Sequence, residues 1–476
     1  MNLNACTHIH FLGIGGIGMS ALARFFHAMG KQVSGYDKTE TQLTRTLQQE
    51  GITVYYEESV NSIPLELRNH TAKEKTVVVW TPAVPADHAE LVWFREHEYT
   101  LMKRAQVLGL IAEATRTFAI AGTHGKTTTT TLTAHLMRSA GIDCSAFLGG
   151  ISGNYGTNLL LGNNLGKEDA DLFSNIVVVE ADEYDRSFLW LHPTFSVITS
   201  VDADHLDIYG DTQEMYATYR KFASQIQPGG KVITKPEVVK LLDSESEQAV
   251  HTYSLDDPAC DFFASDIRIN NGYYEFSLNH HGNKWENLTL GLPGRHNVEN
   301  AVAASALAIT AGADEDGIRL GLASFKGVGR RFEYRFRSAQ KTYIDDYGHH
   351  PAELNACISS ARELFAGQKI IGIFQPHLFS RTRDFMQEFA DVLATLDEVL
   401  LLDIYPAREK PIEGITSAVL AGLIGPKAKV AAKTEAIHAA VNSSCTVVLT
   451  MGAGDIDQLA APIENALRET INSSAS

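Results

Sequence analysis

Three times along this chain a short β-rich apolar run breaks into a turn carrying glycine or histidine and then into a helical pattern, and that recurrence constrains the fold more than any other feature. The runs are His8 to Leu12 leading into Gly13-Ile-Gly-Gly-Ile-Gly18, Thr117 to Ala121 leading into Gly122-Thr-His-Gly-Lys-Thr127, and Thr342 to Ile344 leading into Asp345-Asp-Tyr-Gly-His-His350. Strands that alternate with helices in this way build α/β units around mostly parallel sheets. Near-continuous apolar runs at Thr76 to Trp80, Ile176 to Val179, Val197 to Ser200, Ile370 to Phe374, Val399 to Asp403 and Thr446 to Thr450 suit strands covered on both faces. Residues 260–290 read differently, with Phe262-Phe263, Tyr273-Tyr274 and Phe276 set among Asn and Gly, and predict antiparallel hairpins appended to the middle unit.

Length agrees with three units, since 476 residues hold about three domains of roughly 150. The expected boundaries fall near Ala114 to Arg116 and in Lys326-Gly-Val-Gly-Arg330, giving domains of 1–115, 116–328 and 329–476. With 40 Lys+Arg against 57 Asp+Glu the net charge is -17, and no basic run tracks a phosphate backbone, so nucleic acid is not the expected partner. The five cysteines are widely spaced with no CxxC pair, which excludes a disulfide scaffold and structural zinc. No leader pattern and no 18-residue apolar run is seen, so the expectation is a soluble cytoplasmic protein without a membrane partner.

Gly13, Gly15 and Gly18 form G-x-G-x-x-G between a strand and a predicted helix from Ser20 to Met29, with Gly16 beside them and Asp37 near the usual distance for an acid that binds a ribose. Bare glycines let a phosphate reach backbone amides at the positive end of a helix. NAD satisfies that physics, and so does another nucleotide; a tight turn that binds nothing is the bland alternative.

The segment Gly122-Thr-His-Gly-Lys-Thr-Thr-Thr-Thr130 is more specific. Its amides would cradle phosphates, Lys126 would offset charge near the β/γ position, and the Thr127 hydroxyl would reach Mg²⁺. It departs from the commonest phosphate-loop pattern, which places Gly where Ile120 stands. Glu180-Ala-Asp-Glu-Tyr-Asp185 and Asp202-Ala-Asp-His-Leu-Asp207 each follow a predicted strand, where an ATPase needs an acid for its metal. Asp345 to Pro351 and Gln375-Pro-His-Leu-Phe-Ser-Arg-Thr-Arg383 gather His, Arg and Tyr at strand ends, a site for a small zwitterion or carboxylate, although two histidines beside Pro351 could also just cap a helix.

In order along nearly the whole chain, His10 to Ser20, Gly122 to Thr130, Glu180 to Glu183, Asp204 to Asp207, Gly294-Arg-His-Asn-Val-Glu-Asn300, Gly329-Arg-Arg-Phe332, Asp345 to Pro351, Gln375-Pro-His377 and Ser380-Arg-Thr382 resemble the motifs of the Mur ligase family of ATP-dependent amino-acid ligases. The resemblance implies an N-terminal Rossmann-like domain that holds a UDP-sugar at Gly13, Gly15, Gly16, Gly18 and Asp37. It implies a central ATPase with Gly122, Thr123, His124, Gly125, Lys126, Thr127, Thr128, Asn300 and Arg331 at the nucleotide, and two Mg²⁺ ions held by Thr127, Glu180 and His205. It implies a C-terminal Rossmann-like domain with Tyr347, His349, His377 and Arg381 at the amino acid. The expected substrates are UDP-N-acetylmuramate, L-alanine and ATP, joined through an acyl phosphate by a monomer or weak dimer.

Lys126, Glu180, His205 and His349 are the expected catalytic residues, with the base for the amine left open between His205 and His349. Many relatives have Arg where Leu378 stands and Asn where Ser200 stands. Two competing readings are a ligase that joins a preformed tripeptide to the same sugar nucleotide, and an NAD-dependent oxidoreductase. The second leaves Lys126, Glu180 and the histidine clusters without a role.

Overall fold

The apolar runs become strands within a residue or two of their expected positions, and in the computed structural model they assemble three sheets; the structure describes residues 5–163, 176–202, 209–242, 249–270, 273–407 and 409–474. The first sheet has β1 (His8–Leu12), β2 (Gln32–Tyr36), β3 (Thr53–Tyr55), β4 (Thr76–Trp80) and β5 (Thr100–Lys103), all parallel, in the order β3-β2-β1-β4-β5. The chain leaves β1 toward β2 on one side and returns to β4 on the other, so a crevice opens at the C-terminal end of β1, where Gly13 starts the glycine turn. That turn is shorter than expected. The helix begins at Ile17 instead of Ser20 and runs to Ala28, which puts Gly18 inside its first turn.

The central sheet contains β6 (Arg116–Ala121), β7 (Cys144–Phe147), β8 (Leu159–Leu160), β9 (Ile176–Glu180), β10 (Phe195–Ile198), β11 (Lys231–Thr234), β12 (Ala249–Ser254), β13 (Phe262–Asn270), β14 (Tyr273–His280) and β15 (Asn283–Leu290). Its order is β15-β14-β13-β12-β11-β10-β6-β9-β7-β8, with β8 antiparallel to β7. The segment expected as an appendage on the middle unit forms β13 to β15 and joins the edge of this sheet: β13 pairs with the end of β12 through Tyr253↔Phe262 and Ser254↔Phe263. Alternation explains why, since Tyr274, Phe276 and Leu278 are all buried at every second position, as a sheet face requires.

The third sheet holds β16 (Glu333–Arg337), β17 (Thr342–Asp346), β18 (Ile370–Phe374), β19 (Glu398–Leu401), β20 (Ala428–Val430) and β21 (Val447–Met451), in the order β16-β17-β21-β18-β19-β20. Only the edge strand β16 runs antiparallel among these described strands.

The helix Lys126–Ser139 after β6 opens with five threonines, residues that are poor helix formers because their branched side chains are stiff. Burial reverses the preference here. Thr130 Oγ1 and Thr131 Oγ1 donate to the carbonyls of Lys126 and Thr127 at 2.8 Å, and Thr129, Thr130 and Thr131 are fully buried.

Two compact units emerge, one of Met1–Ile267, Phe276–Thr289 and Glu299–Lys326, the other of Arg268–Glu275, Leu290–Val298 and Gly327–Ser476. The first two sheets therefore share one core. Phe25 of the first helix meets Phe147 of β7 with ring centroids 5.3 Å apart, and Ile111, Phe188 and Leu191 continue the same cluster. The second unit is built around Ile344, Leu354, Phe374, Val447 and Leu449. Among the described residues no helix is long and apolar enough to cross a membrane.

Candidate active site

The phosphate loop lies at the C-terminal end of β6, between the ends of β10 and β9. Gly122 has φ +125° and Gly125 φ +80°, conformations that a side chain would oppose, and a Cβ on Gly122 would collide with the Thr199 hydroxyl and the Ser200 amide. From the β10 side the loop is held by Thr199 and Ser200. The Thr123 amide donates to the Ser200 carbonyl at 3.0 Å, and the His124 amide to Ser200 Oγ at 3.2 Å. Serine thus keeps a polar contact at the position where asparagine is common. The strand was expected to include both residues; ending at Ile198 frees them for this work.

Lys126 is folded back beneath the loop, where its Nζ donates to the Gly122 carbonyl at 2.6 Å and to the Thr123 carbonyl at 3.1 Å. Its ion-pair partner is Glu183, at 2.8 Å and with only 4% of that side chain exposed. Burial opposes the ammonium, but Glu183 and Glu180 more than offset this, so Lys126 is held charged with its pKa above the ordinary lysine value. Thr127 and Thr128 are buried in the first turn of the helix. Asn300 stands against Gly125 and accepts from Thr129 Oγ1 at 3.4 Å, which puts it at the phosphate loop itself. Glu180 closes β9, and its carboxylate lies against Gly149. His205, with its flanking Asp204 and Asp207, lies outside the described residues.

At the glycine turn, the amides of Gly13 and Ile14 both donate to the Tyr36 carbonyl. Asp37, expected at a ribose hydroxyl, is engaged with backbone amides. One of its oxygens accepts from the Gly15 amide at 2.7 Å and the other from the Thr39 amide at 3.1 Å, so it fastens the turn. Above Gly18 sits Arg104, the first residue of the helix after β5, paired to Asp182 at 3.1 Å; its neighbour Lys103 pairs with Asp185 at 3.0 Å. Asp182, Glu183 and Asp185 belong to one acidic turn, and Asp185 and Arg186 hold φ +52° and +55°, a region that few residues other than glycine occupy. The acidic turn therefore faces Lys126 on one side and the cations beside the glycine turn on the other.

In the third sheet, β17 and β18 flank β21 and deliver their C-terminal residues to one place. Tyr347 and His349 are 5.4 Å apart, His349 and His377 5.7 Å, and His377 and Tyr405 5.6 Å by ring centroid. Arg381 is close enough for its charge to depress both histidines; burial is the larger cause, taking His377 down to about 4 and leaving both imidazoles neutral near pH 7. Arg331, expected at the nucleotide, lies with Arg330 over the Tyr347 ring, the two guanidiniums at 5.2 and 5.3 Å, and approaches Glu353 at 3.8 Å. His350 caps the helix Pro351–Leu364, so of the two histidines beside Pro351 one is structural and His349 faces the cluster. Leu378 takes φ +72° ahead of the helix Phe379–Asp384, and Arg381 supplies a cation beside both histidines, with Arg331 a second one near His349.

Residues 8–116 match the Mur ligase family, catalytic domain, residues 120–308 the Mur ligase middle domain, and residues 330–454 the Mur ligase, glutamate ligase domain. A UDP-N-acetylmuramate–L-alanine ligase from Cytophaga hutchinsonii is 47% identical over 465 residues, covering 98% of this chain and 97% of the relative. The chain belongs to the Mur ligase family. A second relative of the same name, from Porphyromonas gingivalis, is 48% identical over 97% of this chain and 99% of its own length. Among solved structures, the UDP-N-acetylmuramate-alanine ligase from Thermotoga maritima aligns with a TM-score of 0.78 at 28% identity, over 98% of this chain and 99% of that one. A murein peptide ligase from Psychrobacter arcticus aligns at 0.68 with 22% identity over 97% and 98% of the two chains, which is a likeness of fold.

As a Mur ligase the chain groups its expected residues into three clusters, and it adds four that sequence reasoning passed over: Glu183, Asp182, Thr199 and Arg104. Glu183 and Asp182 sat inside a quoted motif, yet only the strand-terminal Glu180 was singled out from it. Arg104 had one legible sign, its place at the junction of a strand end and a helix start beside the glycine turn.

Proposed function

We propose that this Mur ligase joins L-alanine to UDP-N-acetylmuramate with hydrolysis of ATP, through an acyl phosphate, giving UDP-N-acetylmuramoyl-L-alanine, ADP and phosphate. The step belongs to peptidoglycan precursor synthesis in the cytoplasm, carried out by a monomer or weak dimer. The observation that carries the reading is the buried, charged Lys126 under a glycine-cornered loop at the end of a central parallel strand. The name shared by the near full-length relatives supports the choice of sugar nucleotide and amino acid.

A carboxylate cannot acylate an amine at neutral pH because its leaving group would be oxide, so phosphorylation must come first. The glycine turn Gly13 to Gly18 would hold the UDP diphosphate. The amides of Gly125 to Thr128, at the start of the helix, would hold the ATP phosphates, with Lys126 offsetting their charge and Asn300 at the loop. Thr127 and Glu180 offer hydroxyl and carboxylate oxygens, a donor set that fits Mg²⁺. A hard cation of this kind takes few protein ligands and completes its shell with substrate phosphate and water. Mg²⁺ would neutralise charge as the sugar carboxylate approaches the γ-phosphate, and His205 is the candidate ligand of a second ion.

Arg381 would take the alanine carboxylate, while neutral His377 and His349 would avoid repelling its ammonium, and His349 or His205 would accept the proton it loses. Competition of L-alanine against a preformed tripeptide, with products read by mass, tests the reading. Alanine should be ligated at least tenfold faster at equal concentration; preferential ligation of the tripeptide would replace this function with the recycling one.

A further inference from the structure

Arg104 is fixed by two contacts that pull in different chemical directions. Its guanidinium packs on Gly18, where a Cβ would come within 2.7 Å of Nη1, and it donates through Nη2 to Asp182 at 3.1 Å. Gly18 lies in the first turn of the helix Ile17–Ala28, whose N-terminus at Gly16 has no side-chain cap. The carboxylate of Asp37 already accepts from the Gly15 amide, so that amide is not open to an anion at the turn. At Gly18 the side chain alongside is a fork-shaped cation, 23% exposed and paired to a carboxylate that is 39% exposed. A guanidinium between a carboxylate and a diphosphate prefers the ligand that carries more charge and matches its donors two by two.

We propose that Arg104 is the positioning residue for the diphosphate of the sugar nucleotide, and that it exchanges Asp182 for the diphosphate when that ligand binds. The inference rests on the proposed function, which puts a UDP-sugar at this turn, and adds the residue that senses it. Asp182 is adjacent to Glu183, the partner of Lys126, so the carboxylate that Arg104 gives up sits on the same turn that borders the phosphate loop. Its neighbour Lys103 has its own partner, Asp185, and lies 5.9 Å from the Trp80 ring, so Asp182 is the carboxylate paired to Arg104.

The test uses the full-length enzyme with uridine 5′-diphosphate and uridine as binding probes, and ligation kinetics as a second readout. Wild type should prefer the diphosphate strongly. Arg104→Ala should weaken it by about 10–100-fold, the loss of one charge-assisted contact pair, with uridine unchanged, and Arg104→Lys should recover part of the loss. In ligation the KM for UDP-N-acetylmuramate should rise while the KM for L-alanine and kcat stay near wild type. Asp182→Asn should bind the diphosphate more tightly than wild type, because Arg104 no longer leaves a carboxylate; a purely structural ion pair would give no such gain. An unchanged preference in Arg104→Ala, or unchanged or weaker diphosphate binding in Asp182→Asn, overturns the exchange while leaving the ligase function standing. A wild type that binds neither probe overturns the sugar-nucleotide reading and this inference with it.

Discussion

A buried ammonium is tolerable when a carboxylate stands beside it, and Lys126 meets that condition first through its ion pair with Glu183, with the charge of the expected metal ligand Glu180 adding to it. Removing one member of such a pair leaves an uncompensated charge and costs about 3–5 kcal/mol. Lys126→Ala should therefore lose both ligation and stability, while Lys126→Ala with Glu183→Gln should regain most of the stability and none of the activity; chemical denaturation beside a phosphate-release assay reads both. Asp346, at the end of β17, gives a pH signature. Burial raises its carboxyl to about 6 from 3.8, against the pull of Arg331. The folded state then binds the proton more tightly than the unfolded chain, so this group's contribution is complete below about pH 4 and lost as pH rises through 6, about 3 kcal/mol in all. Asp346→Asn should flatten the fall in unfolding free energy over that interval; an unaltered slope would contradict the assignment.

At the scale of elements, the phosphate-loop helix Lys126–Ser139 is set by its neighbour, the helix Glu315–Ser324. The two approach so closely at Gly317 and Gly321 that a Cβ on Gly317 would run into Ala140 and one on Gly321 into Leu136. Gly317→Val should overpack this contact, lower stability by about 1–3 kcal/mol and raise the KM for ATP, with the KM for UDP-N-acetylmuramate less affected. These strands and turns were largely legible in the sequence, because a buried parallel strand writes itself as an apolar run and a phosphate-binding turn needs glycine. Two features were not. Residues 262–290 carried the right alternation, but whether they stood apart or joined the central sheet depended on the two pairs that link β13 to β12. The helix after the glycine turn started early because Ile14 and Ile17 lie either side of a turn that glycine makes short, and the expected start at Ser20 ignored that.

Across the whole molecule, each of three mostly parallel sheets gathers expected site residues at the C-terminal ends of its strands, and the first two sheets share one core. Sequence reading assigned the glycines, Lys126, His349 and His377 because each announces its chemistry within a local motif. It could not reach Arg104 with Asp182, which are separated by 78 residues, nor turn Asp37 onto Gly15, since these depend on how side chains meet after folding. The net charge of -17 says little about anionic substrates, which are met by local cations against the overall field. The central claim is a carboxylate-amine ligase that needs three substrates at once. Phosphate release from ATP, measured with UDP-N-acetylmuramate and a panel of single amino acids, tests it most directly. Release should depend on both the sugar nucleotide and L-alanine, with one phosphate for each amide formed. Release that ignores the amino acid, or none with all three substrates present, would contradict it.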